Sequence, residues 1–266
     1  MKISAQMVIR NEERWIWYSI MSVIDYVDEI RIYDTGSTDK TVEIINSISS
    51  DKIYFKKYCE NADPDVHTRA RQDMFELSCF DWILVVDGDE VWPEAAINEI
   101  CNAIRINGNN YEYFVSPFLN MVGDVYHYQH PRAGKYKIGD DIGHVTIRAI
   151  NAKKIPGLHI DNPFPKEGFY DIENNLIQDR RPILSKKMTN PYLHMTHLKR
   201  SNEAWTYSIH RNVQKNELGI KIPFDFVYPK SFYFPGHGNP WIKRDWRYLG
   251  SAIWQSPLRE IKRILG

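Results

Sequence analysis

Over the first 105 residues the apolar positions recur with two alternating periods. Residues 3–9 form a short strand-like run, and Ile16, Ile20, Val23, Ile24 and Val27 then fall at helical spacing. Asn11 stands where a helix cap is expected, with Glu12 and Glu13 in the first turn where the macrodipole favours anions. Residues 29–33 predict a second strand. Residues 36–39 predict a turn opening a helix with Val42, Ile45 and Ile48 on one face. A strand at 53–58, a helix at 68–77 and a strand at 82–86 follow. The last strand is apolar throughout, as for a parallel strand covered on both faces. Pro93 suits the first position of a further helix, carried by Ile97, Ile100 and Ile104.

Alternating strands and helices predict an α/β fold with a mostly parallel sheet flanked by helices. Ligands of such sheets bind beyond the carboxyl ends of the strands. Three polar clusters fall there: Arg10-Asn11-Glu12-Glu13, Asp34-Thr35-Gly36-Ser37 and Asp87-Gly88-Asp89-Glu90. Distant in sequence, they are expected to meet along one edge.

After about residue 108 the pattern changes. Residues 111–121 and 125–130 predict a hairpin around Gly123-Asp124, and 134–143 a mobile loop rich in Gly, Lys and Asp. Residues 144–150 and 192–197 predict strands, and 202–218 a helix. With no repeat and no low-complexity linker, the second half is expected to extend the same domain. The division expected is a catalytic unit over 1–220, split near residue 105, and an aromatic, basic extension over 221–266.

Composition adds exclusions. Hydrophobic residues are 43% and charged residues 26% of 266, enough for a sizeable core. Lys+Arg and Asp+Glu are both 34, so the chain lacks the basic excess of a nucleic-acid binder. Cys59, Cys79 and Cys101 are odd in number and lack CxxC spacing, which fits reduced thiols in a cytoplasmic protein. No signal-like start and no run near the ~20 apolar residues of a membrane span is present. Residues 241–266 carry Trp241, Trp246 and Trp254 with six cations against Asp245 and Glu260. That pattern suits a peripheral membrane contact, and equally a packed tail or an oligomer contact. Pro257 is expected to break any single long helix there.

Packed carboxylates at a strand end repel unless a cation or proton intervenes, and hard oxygen ligands suit Mg²⁺ or Mn²⁺ beneath a diphosphate. Asp87 and Asp89 fit that description, with Gly88 letting the backbone approach a phosphate. Asp-Gly-Asp is also a good turn, and position after the fourth strand favours metal. Asp34 can accept from a base N–H or a ribose hydroxyl, or merely hold its turn. Arg69 and Arg71 can meet phosphate, the acidic cluster or solvent. His194 and His197, three apart on a strand, face opposite ways, so at most one joins a metal. No GxSxG, P-loop or GxGxxG is present.

These motifs resemble glycosyltransferase family 2, of GT-A fold. Residues 7–13 resemble its opening strand and Asn-Glu signature, residues 33–41 its second-strand motif, and residues 86–90 its DxD motif. The resemblance implies a metal-dependent, inverting transfer from a nucleoside-diphosphate sugar, most simply a UDP-sugar, to a hydroxyl on a glycan, lipid-linked or protein acceptor. It places Asp34 at the nucleobase, Arg10, Asn11 and Glu12 at the nucleoside, Arg71, Asp87 and Gly88 along the donor, and Asp87 and Asp89 on Mn²⁺ or Mg²⁺. A late histidine, best matched by His194, joins the metal. The base matches least well: Asp161, in Gly157-Leu158-His159-Ile160-Asp161, is displaced by one residue, with Asp171 and Glu173 in reserve. A nucleotidyltransferase of similar fold is disfavoured, since the segment after the first strand is acidic and lacks glycine. A nucleotide-sugar-binding module without turnover is the reading from another class. A homo-oligomer is compatible with all of these.

Overall fold

In the computed structural model, residues 1–59, 65–163, 166–180, 184–201, 216–234 and 238–265 are described. The first half alternates as expected. Strands β1 (Ile3–Ile9), β2 (Glu29–Asp34), β3 (Ile53–Lys57) and β4 (Trp82–Val85) alternate with helices α1 (Ile16–Val23), α2 (Thr41–Asn46) and α3 (Val66–Glu76). A two-residue strand β5 (Glu90–Val91) precedes helix α4 (Glu94–Asn107), with Pro93 at its N-cap, one residue before the position expected. The four long strands pair in parallel in the order β3-β2-β1-β4. Every residue of β1 is buried, as a central strand covered on both faces requires.

The two faces follow from the period-2 alternation. Met7, Ile9 and Ile32 point into a core shared with α1, α2 and α4, while Val8 and Tyr33 point the other way onto Ala70 and Met74 of α3. Trp82 stacks on Phe114 with centroids 4.8 Å apart, at the seam where the second half joins. An indole fully removed from water contributes roughly 2–3 kcal/mol.

The second half extends the same sheet. Strand β10 (Val145–Asn151) pairs antiparallel with β4 and with β6 (Tyr113–Val122). β6 pairs with β7 (His127–Tyr128), the hairpin expected around Gly123-Asp124. Gly123 has φ +75°, and an added Cβ would lie 2.5 Å from the Tyr248 ring. Parallel to β6 lie β13 (Ser185–Lys187) and β14 (Tyr192–His197), and β14 also pairs with β5. The short strand β15 (Ile220–Lys221) closes the far edge on β7. The pair β11 (His159–Asp161) and β12 (Gly168–Tyr170) packs beside α3. This is the α/β architecture expected: a mostly parallel sheet flanked by helices, with a mixed β region.

Several expectations are corrected. Asn11 caps no helix: α1 begins at Ile16, and Asn11 takes a left-handed conformation (φ 53°) because its amide and side chain are engaged with the next loop. Residues 134–143 are no open loop but contain the hairpin of β8 (Tyr136–Ile138) and β9 (Asp141–Gly143). Pro257 does not break the last helix: α5 runs Trp246–Leu265 with Pro257 inside it. A proline forfeits one backbone hydrogen bond, which a 20-residue helix held by its other contacts tolerates. Most of the helix expected over 202–218 lies outside the described residues. Among the described residues no helix is long and apolar enough to cross a membrane.

Candidate functional site

The strand-end loops zip together through short polar bonds. Asn11 donates its backbone N–H to Ser37 Oγ (2.9 Å) and accepts from the Thr38 N–H on Oδ1 (2.8 Å). Glu12 N–H donates to Thr41 Oγ1 (2.7 Å), and Glu13 N–H to Asp39 Oδ2 (3.3 Å). Asp34 is fully buried and accepts from Gly36 N–H, Ser37 N–H and Ser37 Oγ. Its first task is therefore to shape the β2–α2 turn. Arg10 is half-buried at the start of the β1–α1 loop.

The third cluster packs against the first. A Cβ on Gly88 would lie 2.8 Å from Glu12 Cγ, so only glycine lets this turn press against the β1–α1 loop. Ser19 of α1 donates to the Asp87 carbonyl (3.1 Å), and the Glu90 N–H closes the turn on the same carbonyl (3.1 Å). The three clusters expected to converge do converge.

Around them stand three arginines. Each makes its short contact to a glutamate and its long contact to Asp87 or Asp89. Arg71 Nε lies 2.5 Å from Glu167 Oε1, and its Nη2 lies 3.4 Å from Asp87 Oδ1. Arg200 Nη1 lies 2.6 Å from Glu12 Oε1 but 3.4 Å from Asp89 Oδ2. Arg148 is in close contact with Glu90 and lies 3.3 Å from Asp87 Oδ2. His194 Nε2 stands 3.5 Å from Asp89 Oδ1 on the remaining side, while its buried Nδ1 has no hydrogen-bond partner among the described residues. An outer ring of glutamates thus anchors the cations by short contacts, and the two inner aspartates meet the same cations at 3.3–3.4 Å.

Local structure explains each placement. Arg148 sits where the register of β10 against β6 slips between Ile147 and Ala149, a bulge that re-aims a strand side chain. Its Nε donates to Tyr192 Oη (3.0 Å), and Tyr192 stacks on Trp92. His194 reaches Asp89 because β14 pairs with β5, His194 opposite Glu90, and the Met195 N–H donates to the Asp89 carbonyl (2.8 Å). His197 lies beyond a second register slip, opposite Val122 of β6. Arg71 is on the buried face of α3, and Glu167 is held between it and His67 Nδ1 (2.8 Å).

The charges are strongly coupled. Burial pushes the Asp87 carboxyl up, but the Arg148 and Arg71 guanidinia outweigh it and hold the group well below the usual carboxylate range. Burial likewise opposes the charged form of Glu167, yet Arg71 and then His67 bring it down to about 2. Burial acts against the proton of Arg148, and Glu90 more than restores it, so the guanidinium stays charged.

Asp161 ends β11 with its side chain exposed, its Oδ1 accepting from the Asn162 N–H (2.7 Å). The Asn162 carbonyl accepts from Thr68 Oγ1 of α3 (2.6 Å), one turn before Arg71. The structure thus sets Asp161 beside α3, outside the arginine–aspartate cluster. Asp171 is tied to Arg180 (2.6 Å), away from that cluster.

Glu167, Arg148 and Arg200 are the residues that the sequence did not single out. One signal was available for Arg148, a lone cation inside the apolar run Val145–Asn151. Among the described residues, no group of three or more His, Cys, Asp or Glu side chains is gathered tightly enough to cage an ion by itself. Asp87 and Asp89 offer hard carboxylate oxygens, and His194 Nε2 lies 3.5 Å from Asp89 Oδ1. Mn²⁺ and Mg²⁺ take one or two carboxylates from the protein and complete their shell with phosphate oxygens and water.

Comparison with known proteins bears on the same stretch. The family model described as glycosyl transferase family 2 matches residues 4–158. An uncharacterized glycosyltransferase of Rickettsia bellii is 35% identical over 100 residues, 37% of this chain and 31% of that protein. The SPbeta prophage-derived glycosyltransferase SunS of Bacillus subtilis is 28% identical over 123 residues, 44% of this chain and 27% of that one. A TPR repeat-containing protein of Synechococcus elongatus is 33% identical over 89 residues, 34% of this chain and 21% of that one. The chain spans about a fifth to a third of the length of these relatives. Among solved structures, Mycobacterium tuberculosis glucosyl-3-phosphoglycerate synthase with Mn²⁺, UDP and phosphoglyceric acid gives a TM-score of 0.47 at 16% identity, covering 73% of this chain and 70% of that one. S. aureus TarS residues 1–349 give 0.46 at 11%, covering 74% and 61%.

Proposed function

Because the chain belongs to glycosyl transferase family 2, we propose that it transfers a sugar from a nucleoside-diphosphate sugar of the UDP-sugar class to an acceptor hydroxyl, with inversion at the anomeric carbon. The observation that carries this reading is the two-ring arrangement of charge. Glu12, Glu90 and Glu167 anchor three arginines by short contacts, while Asp87 and Asp89 meet the same arginines at 3.3–3.4 Å. Two aspartate carboxylates set beside anchored cations suit a site that takes up a metal–diphosphate.

In this reading, the zipped loops carrying Arg10, Asn11 and Glu12 form the nucleoside wall, and the buried Asp34 holds the β2–α2 turn against which a nucleobase would lie. Gly88 lets the Asp87–Asp89 turn lie against the β1–α1 loop, and Arg71, Arg148 and Arg200 face the charge that builds on the diphosphate as the leaving group departs. Asp87, Asp89 and His194 would hold Mn²⁺ or Mg²⁺, which when bound supplies further positive charge there.

The proton of the acceptor needs a base. Glu167, held at about 2 by Arg71 and His67, is a poor one, and its part is to fix Arg71. Asp161 carries an exposed carboxylate at the end of β11, beside the helix that holds Arg71, and we assign it the role. Transfer with a panel of nucleotide-sugars and Mn²⁺ tests the proposal. Product should form with one donor class and vanish with EDTA or Asp89→Ala. Asp161→Asn should keep donor binding and lose about 100-fold or more in kcat. Turnover unaffected by both EDTA and Asp89→Ala would sink the metal assignment. Donor binding without product from any acceptor would leave a binding module.

A further inference from the structure

The last helix is amphipathic in the reverse of the usual sense. A surface helix normally buries an apolar stripe and shows its polar face to water. Here α5 docks through its polar and small side chains. Tyr248 and Ala252 are buried, Tyr248 Oη donates to the Glu217 carbonyl (3.0 Å), and Arg263 lies 2.7 Å from the Glu217 carboxylate. Asn216 Nδ2 donates to Ser251 Oγ (2.9 Å), and the Leu218 N–H donates to Ser256 Oγ (2.8 Å). At 100° per residue these positions share one side.

The opposite side is apolar and uncovered. Trp246 and Trp254 are 76% and 81% exposed, and Ile253, Leu258, Ile261 and Ile264 are all more than half exposed. These six fall within an arc of about 140° on the helical projection. A contiguous apolar face of this kind marks an interaction surface.

Charge decides what covers it. Between residues 241 and 266 stand six Lys and Arg against Asp245 and Glu260. Both acids are already engaged, Asp245 accepting from the Tyr248 N–H (2.8 Å) and Glu260 lying 3.4 Å from Arg263. Of these cations Lys243, just before the helix, and Arg247 and Lys262 on it are exposed. A second copy laid on this face would bring like charges together. An anionic surface meets them with opposite charge, while tryptophans sit well at the boundary between lipid headgroups and acyl chains.

We propose that α5 lies flat on an anionic phospholipid surface, its apolar face at the level of the acyl chains and Lys243, Arg247 and Lys262 on the phosphates. The helix is tied to the sheet through Tyr248 against Gly123 and Arg244 beside Asp124 (3.7 Å), so the attachment would also fix the orientation of the strand-end site. The proposal rests on α5 alone and stands or falls independently of the transfer reaction.

Flotation of the full chain with phosphatidylcholine vesicles, with and without phosphatidylglycerol, tests it. The wild type should partition onto the anionic vesicles about tenfold more strongly than onto the neutral ones, and rising salt should erase the difference. Trp254→Glu with Ile261→Glu should lower that partition at least about tenfold with an unchanged urea midpoint, since both side chains are exposed. Lys243→Gln, Arg247→Gln and Lys262→Gln together should remove the anionic preference. Equal flotation of wild type and the double glutamate variant would overturn the proposal. So would a wild type that floats with neither vesicle but is a dimer by light scattering, made monomeric by the same variant.

Discussion

Arg148 and Glu90 form the most deeply committed ion pair of the site. Removing one charge from a buried pair leaves the other stranded, at a cost of roughly 3–5 kcal/mol. Arg148→Met is therefore expected to lower stability by that order in urea unfolding. Adding Glu90→Gln should recover part of the loss, because the stranded carboxylate is gone; no recovery would mean that Arg148 acts through packing against Tyr192. Gly88 offers a second test at this scale. Its α-hydrogen occupies space that a methyl would contest with Glu12 Cγ at 2.8 Å. Gly88→Ala should displace Glu12 from Arg200, costing about 1–3 kcal/mol of stability and weakening binding of a nucleoside diphosphate in a calorimetric titration. Unchanged stability and affinity would show that the β1–α1 loop yields freely.

Between elements, Glu167 is the link that joins α3 to the chain leading into β12. Its carboxyl is held at about 2 in the folded protein against 4.5 ordinarily. The unfolded chain therefore takes up this proton first as pH falls. The stabilisation is complete above pH 4.5 and is lost as pH drops toward 2, with a ceiling of about 3 kcal/mol. Glu167→Gln should flatten the dependence of the urea midpoint between pH 5 and pH 3, and a slope equal to wild type would remove the assignment. The elements themselves differed in how plainly the sequence announced them. β1 to β4 and the helices between them were legible because each buries an apolar run or stripe within its own few residues. Asn11 misled because a helix-cap residue is also a good left-handed residue, and its partners lie 26 and 27 positions away. Pro257 misled because intrinsic propensity is a weak guide where tertiary contacts hold a helix from several points.

Across the whole molecule, the convergence of three strand ends was readable from the order of strands and helices alone. The arginine ring was not. Arg148 reaches Asp87 only because β10 inserts antiparallel beside β4 and carries a bulge, and His194 reaches Asp89 only through the pairing of β14 with β5. Both depend on non-local register, which no local pattern encodes. The resulting layout is a sheet whose edge gathers five acids and three arginines, with the two aspartates at its centre. That layout makes a direct demand on binding. Calorimetric titration of UDP into the wild type and Asp89→Ala, with Mn²⁺ and with EDTA, examines it. Binding in the wild type should be at least about tenfold tighter with Mn²⁺, about 1.4 kcal/mol, with no such gain in Asp89→Ala. Equal affinity in all four titrations would contradict the metal assignment.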